Sequence, residues 1–282
     1  MNIPELMVKE GLRKGIRNKT IKTYVTCVNK FFRIYRKDPK QISKNDIENY
    51  LHRLIKWGRS GSTINVHLNA LKFFYEKVLK KKLTINIKHT RVRKRLPEVL
   101  TKEEVSKLFS VIENEKHRLM IKLLYATGMR VSELVSLKVK NFEFNKNHGW
   151  IRDGKGGRDR LFIIAIKLKL ELINWISQNK LTDDDWLFSG QGNSHISVQT
   201  IQAIVKNSTR KTGISKNVHP HTLRHSFATH LIENGYAVTE VQPLLGHNSI
   251  NTTMIYLHTA SPQLLKVKSP FDTLNENSTS KV

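Results

Sequence analysis

The sequence predicts a mainly α-helical protein with a small three-stranded antiparallel β-sheet, built as a helical N-terminal domain followed by an α+β domain. Three observations predict it. At 282 residues the chain exceeds one typical domain, and its 39% hydrophobic content is enough to bury two cores. From Asn18 to about Leu83, apolar residues recur at the three- and four-residue spacing of amphipathic helices. Between Phe142 and Ile164, three short runs rich in aromatic and branched residues stand between turn signals.

The first helix carries Ile21, Tyr24, Val28, Phe31 and Phe32 on one face. Ser43 opens a second, with Asp46 and Glu48 in its first turn and Ile47, Tyr50, Leu51 and Leu54 along its apolar side. Ser62 is the expected N-cap of a third, which carries Ile64, Leu68, Leu71, Phe74, Tyr75 and Val78. Residues 1–87 thus form a helical domain. The segment KHTRVRKR and the Pro97 that follows it mark residues 88–96 as a basic linker. Thr101 and Glu104 have the spacing of a capping box and open the second domain, residues 97–274. There, Arg118 to Ala126 is a largely apolar helix that Gly128 ends, and Val131 to Leu137 is a short one. Strands are expected at Phe142–Phe144, Trp150–Arg152 and Leu161–Ile164, the last two joined by the turn GKGGRDR. The chain then returns to helix, and residues 275–282, NENSTSKV, have the composition of a disordered tail.

Charge narrows the function. Lys and Arg number 49 against 23 Asp and Glu, giving a net charge of +26 and a pI near 10.2. Such an excess repels itself in a compact state and favours a polyanionic partner, most commonly nucleic acid. Ribosomal proteins and binders of anionic membranes share this balance, so charge alone sets only a class. The single cysteine, Cys27, excludes an internal disulfide and a multi-cysteine zinc site, and fits a reducing compartment. No apolar run approaches the roughly 20 residues of a membrane helix, and MNIPELMVKE lacks the core of a signal peptide. A cytoplasmic protein without membrane contact is expected.

Four separated segments carry chemistry: ATGMRVSEL around Arg130, GKGGRDR around Lys155, HPHTLRHSFATHL around His221 and Arg224, and LLGHNSINTTMIY ending at Tyr256. Arg130 stands at a helix start, where backbone N–H groups favour an anion, with Glu133 in reach to orient it. Pro220 suits the first turn of a helix whose apolar stripe is Leu223, Phe227 and Leu231, and Arg224 falls beside Leu231 at the buried edge. Together Arg130 and Arg224 have the forked donors to hold both free oxygens of a phosphodiester. An arginine whose stem covers the core while its head reaches water fits the same local pattern. Lys155, among glycines at a hairpin tip, can protonate a departing oxygen or simply touch a phosphate. His221 and His225 have the i, i+4 spacing of a zinc pair, but the glutamate a metalloprotease needs between them is absent. Gly246 ends the helix of Leu244 and Leu245 and puts His247 at its exit. Nine residues later Tyr256 lies on a short helix that Ser249 can cap.

The set Arg130, Lys155, His221-x-x-Arg224, His247 and Tyr256 resembles the active-site signature of the tyrosine recombinases, or phage integrase family. The resemblance implies that residues 1–87 are a core-binding, SAM-like domain and that residues 97–274 are the catalytic domain with a C-terminal exchange segment. It assigns Arg130 and Arg224 to the scissile phosphate, Lys155 to the leaving oxygen, His221 and His247 to phosphate binding and proton transfer, and Tyr256 to nucleophilic attack. It further implies double-stranded DNA as partner, four protomers around paired sites from a monomer or weak oligomer when free, and no cofactor or metal. The HTLRHSFATHL and LLGH wording and the ending SPFDTL look most like Xer-type recombinases of chromosomes, plasmids and mobile elements. No arm-binding domain is expected before Asn18. Pro243, inside the helix before LLGH, departs from the family pattern and bears on where His247 sits. A type IB topoisomerase, or a DNA-binding protein that has lost catalysis, is the alternative reading.

Overall fold

A computed structural model of the chain describes residues 2–82, 87–91, 96–152, 159–192, 194–246 and 249–257. The chain divides into two compact units, Met1–Lys94 and Arg95–Val282. No helix among the described residues is long and apolar enough to cross a membrane.

The first unit packs α1 (Ile3–Arg13), α2 (Asn18–Tyr35), α3 (Lys44–Lys56) and α4 (Gly61–Lys72), the last running on as a π-helical turn over Phe73–Val78. The helix α1, before Asn18, is an addition to the elements expected from sequence. Pro4 in its first turn and buried Met7 and Gly11 on one face explain it. Ser43 caps α3 through a full capping box with Asp46, as expected. The third predicted helix starts earlier than its sequence suggests, because Ser60 rather than Ser62 accepts the N–H of Thr63 and serves as N-cap. Phe31, Tyr50, Leu54, Leu68 and Phe74 meet in the core. Within the basic stretch after it, Thr90 exchanges both backbone hydrogen bonds with the Asn65 amide, at 2.8 and 2.9 Å. Residues 92–95 of the expected linker lie outside the described residues.

The second unit opens with α5 (Lys102–Ser110), whose Thr101–Glu104 capping box forms as predicted. It continues through α6 (Glu115–Thr127) and α7 (Val131–Val135) to a sheet of β1 (Phe142–Glu143), β2 (His148–Ile151) and β3 (Arg160–Ile163). The sheet is antiparallel in the order β1-β2-β3, with Gly149 opposite Phe142 on one side and Phe162 on the other. The predicted three strands are therefore present, each offset by a residue or two. Next come α8 (Ile166–Gln178), α9 (Val198–Thr212), α10 (Pro220–Glu233), α11 (Val238–Leu245) and α12 (Ile250–Thr253), which ends in a 3-10 turn over Met254–Tyr256.

The sequence predicts a single apolar stripe on α10, yet this helix is buried on most of its surface. Small side chains make this possible: Ser226 donates to the Thr222 carbonyl and accepts the Leu100 N–H, so its hydroxyl is satisfied away from water. Gly128, which ends α6, has a left-handed φ of 59°, and a Cβ there would stand 2.2 Å from the Phe227 ring. Close approach of α6 and α10 thus needs glycine for both conformation and space. Pro243 is carried inside α11 without ending it; the carbonyl it leaves without a donor, on Thr239, belongs to an exposed residue.

Candidate active site

Three arginines from three separate elements converge on the C-terminal end of α11. Arg160 donates to the Leu244 carbonyl, Arg224 to that of Leu245, and Arg130 to that of Gly246 at 3.3 Å. These are the orphan carbonyls at the negative end of a helix, so each guanidinium meets a partner it favours. The LLG wording is legible in these terms. It ends the helix with three successive carbonyls, and Gly246 adopts φ 60° where a Cβ would strike the Arg160 side chain at 2.6 Å.

Glu133 holds two of the three in place. Its carboxylate pairs with Arg130 at 2.7 Å and Arg160 at 2.6 Å, and also accepts the Arg130 backbone N–H as the capping residue of α7. Burial alone would raise its pKa, but the Arg160 charge and the hydrogen bonds from Arg130 outweigh that and hold it below the usual carboxylate range. Arg224, only 3% exposed, also donates to the Gly128 carbonyl at 2.7 Å. Burial, then Arg130 and Arg160, bring its pKa down to about 10, so it remains charged at neutral pH. Among the described residues, three cations against one carboxylate leave two positive charges at a partly buried place, which a phosphodiester would offset.

Tyr256 reaches this region from the turn after α12. Its ring is 1% exposed and packs with Phe227, Ala228, Ile232, Val241 and Leu245. Burial raises its pKa, while Arg224 and Arg130 pull the other way, which puts the phenol within the field of both guanidinium groups. Its hydroxyl lies 3.0 Å from Nδ1 of half-buried His225. Burial and then His221, Arg224 and His219 depress His225 to about 4, so it is neutral at physiological pH. His221, exposed on the first turn of α10, is also shifted down, by desolvation against the protein and then by Arg224.

Four of the six residues expected from sequence, Arg130, His221, Arg224 and Tyr256, are thus brought to one region. Lys155 and His247 lie outside the described residues. Sequence reasoning passes over Arg160 and weighs His225 only as half of a zinc pair with His221. Arg160 shares the buried face of β3 with Phe162, an alternation that marks it as an inward-pointing charge.

These charges predict acid sensitivity. Between about 4 and 6.5 the unfolded chain takes up a proton that His225 refuses in the fold, so stability falls as pH drops through that window. Glu133, with a lowered pKa, contributes stability that is present above 4.5 and lost as pH falls through its folded value. The melting temperature is expected to decline from pH 6.5 downwards. His225→Asn should flatten part of the upper slope, leaving the shares of His67, His117, His221 and His230, which are shifted the same way. Calorimetry of both proteins from pH 4 to 7 measures it, and identical slopes would show that the imidazole is not neutral in the fold.

Residues 98–262 match the phage integrase family, and residues 7–85 match the N-terminal SAM-like domain of phage integrases. The chain belongs to the phage integrase family. This recombinase is 36% identical over 256 residues to tyrosine recombinase XerA of Pyrococcus furiosus, covering 89% of this chain and 87% of that one. It is 32% identical over 274 residues to tyrosine recombinase XerD of Oceanobacillus iheyensis, covering 90% and 92%. Among solved structures, XerH site-specific recombinase bound to palindromic difH substrate, a post-cleavage complex, matches with TM-score 0.73 at 27% identity, over 89% of this chain and 80% of that one. A crystal structure of XerA recombinase matches over 94% and 95% with TM-score 0.55 at 29% identity. The chain is a tyrosine site-specific recombinase with Xer-type relatives. Its mainly helical, two-part fold with a three-stranded sheet is the one its sequence predicts.

Proposed function

We propose that this recombinase binds duplex DNA and breaks one strand by attack of Tyr256 on a phosphodiester. A 3′-phosphotyrosyl bond forms and a 5′ hydroxyl leaves; the reverse attack by the 5′ hydroxyl of a partner strand rejoins the DNA. Bond energy is kept in the protein linkage. The observation that supports this most is the gathering of Arg130, Arg160 and Arg224 at the C-terminal end of α11, beside the Tyr256 phenol. In this reading Arg130 and Arg224 stabilise the charge that builds on the phosphorus oxygens, and Glu133 and Arg160 keep their geometry fixed before the substrate arrives. Lys155 protonates the leaving oxygen, and His221 and His247 complete the phosphate contacts; for Lys155 and His247 the support is the sequence signature alone. Residues 1–87 act as the core-binding domain, residues 88–96 as the linker and 97–274 as the catalytic domain. The protein works in the cytoplasm as four protomers on paired sites, with the apolar segment Leu264 to Leu274, which lies outside the described residues, exchanged between neighbours.

The test is covalent trapping. The protein is incubated with fragmented genomic DNA of its source, quenched in denaturant, and the protein-linked ends are sequenced. A recurrent sequence joined through a 3′ phosphate to Tyr256 is expected, and adducts at random positions or through another residue would reject site-specific cleavage by this tyrosine.

A further inference from the structure

Beside the six residues of the signature, α10 carries a seventh group in contact with the reacting atom. We propose that His225 is the proton acceptor for Tyr256: its Nδ1 takes the phenolic proton as the oxygen attacks phosphorus. The inference rests on the reading of Tyr256 as nucleophile.

The geometry is direct. Nδ1 of His225 stands 3.0 Å from the Tyr256 oxygen, within the range required of a general base, and the two ring centroids are 5.6 Å apart. Nδ1 can accept only when the proton of the neutral ring sits on Nε2. His225 is neutral at physiological pH, so it is ready to accept and has no proton to lose first. The step then balances. The Tyr256 oxygen-to-phosphorus bond forms, the phosphorus-to-5′-oxygen bond breaks, and the phenolic proton moves to Nδ1, while the leaving oxygen draws its proton from a separate acid. On rejoining, the imidazolium returns that proton to the departing phenolate.

A base held near pKa 4 is weak at pH 7, and the reason for its depression also supplies the remedy. Besides burial, the groups that lower it are His221, Arg224 and His219, all on α10 or its cap. A phosphodiester anion on Arg224 offsets part of that field, which raises His225 towards the operating pH only when substrate is bound. Among the described residues, the titratable groups on the other elements packed against α10 are engaged elsewhere or exposed. Tyr125 of α6 is committed to His230 at 2.8 Å, and Lys206, Arg210 and Lys211 of α9 and Glu240 of α11 are exposed. The last turn brings Tyr256 itself.

The experiment uses the full chain and a duplex bearing the trapped site, made with sulfur in place of the 5′-bridging oxygen at the scissile phosphate. A thiolate leaves without a proton, so the rate of adduct formation reports on the nucleophile. Two variants divide the roles: His225→Phe removes the acceptor, whereas His225→Asn can place an amide oxygen near the position of Nδ1 but cannot take up a proton. Gel-shift affinity and melting temperature confirm that each variant is folded and binds DNA. The wild type is expected to be nearly flat between pH 6 and 8. Both variants should be about 10²-fold slower at pH 7. Their rates should rise about tenfold per pH unit as hydroxide replaces the lost base. An Asn variant within threefold of wild type across this range, a slow variant without the pH slope, or variants faster than wild type would each overturn the proposal. Failure of the Tyr256 reading looks different, because then Tyr256→Phe would itself still form adduct.

Discussion

Tyr256→Phe is expected to abolish the covalent adduct while leaving duplex affinity within about twofold, roughly 0.4 kcal/mol. The expectation follows from where the residue sits. Its ring is almost fully buried among Phe227, Ala228, Ile232, Val241 and Leu245, so phenylalanine keeps every apolar contact the ring makes. Only the hydroxyl is lost, and with it the hydrogen bond to His225. A hydrogen bond of this kind is worth about 0.5–1.5 kcal/mol, too little to unfold the domain. Chemistry, by contrast, loses its nucleophile outright. Labelled duplex carrying the trapped site, run on a denaturing gel after incubation with excess protein, reads the adduct; a gel shift on the same duplex reads binding. Adduct from the Phe variant would move the nucleophile to another residue, and lost binding would mean that the hydroxyl serves the fold.

Much of this site is legible in the sequence, and the reason differs from residue to residue. Arg130 and Gly128 can be read because helix ends have local signatures: a glycine that stops one helix and a carboxylate three residues into the next. Arg224 can be read because α10 is regular enough for angular arithmetic to place it at the buried edge, where it is 3% exposed. Tyr256 stands out through its spacing from His247 and through the family signature, not through any local pattern. His225 presents itself in the sequence only as half of a zinc pair with His221. Its actual partner is 31 positions away, and nothing in local periodicity reports a contact between α10 and the turn after α12. Arg160 looks like one more basic residue beside a hairpin. That it closes a triad with Glu133 and the end of α11 depends on three segments meeting, which strand alternation hints at but cannot specify. The early start of α4 is a difference of boundary, decided by which of two serines reaches an N–H, whereas α1 is an added element that begins one residue before Pro4.

Replacing Arg224 by lysine is expected to lower the single-turnover rate of adduct formation by about 10² to 10³, with the fold kept. The charge survives this change and the fork does not. In the native site one nitrogen of the guanidinium donates to Gly128 and the other to Leu245, which ties the end of α6 to the end of α11 and fixes the cation between them. A lysine ammonium is a single point on a flexible stem; it can reach one of those carbonyls, or turn to the phosphate, but cannot do both in one plane. Alanine is the harsher test and the less clean one, since each carbonyl left without a donor in a buried place costs about 1–3 kcal/mol. Comparing the two separates chemistry from folding. Urea unfolding should place the lysine variant between wild type and alanine, since it leaves one of the two carbonyls without a donor and alanine leaves both, while both variants lose the rate at saturating protein. Duplex affinity should change little in either, because one buried guanidinium is a small part of a surface with a net charge of +26. A lysine variant that cleaves at the native rate would show that positive charge alone suffices, and that the bridge between α6 and α11 serves the fold rather than the transition state.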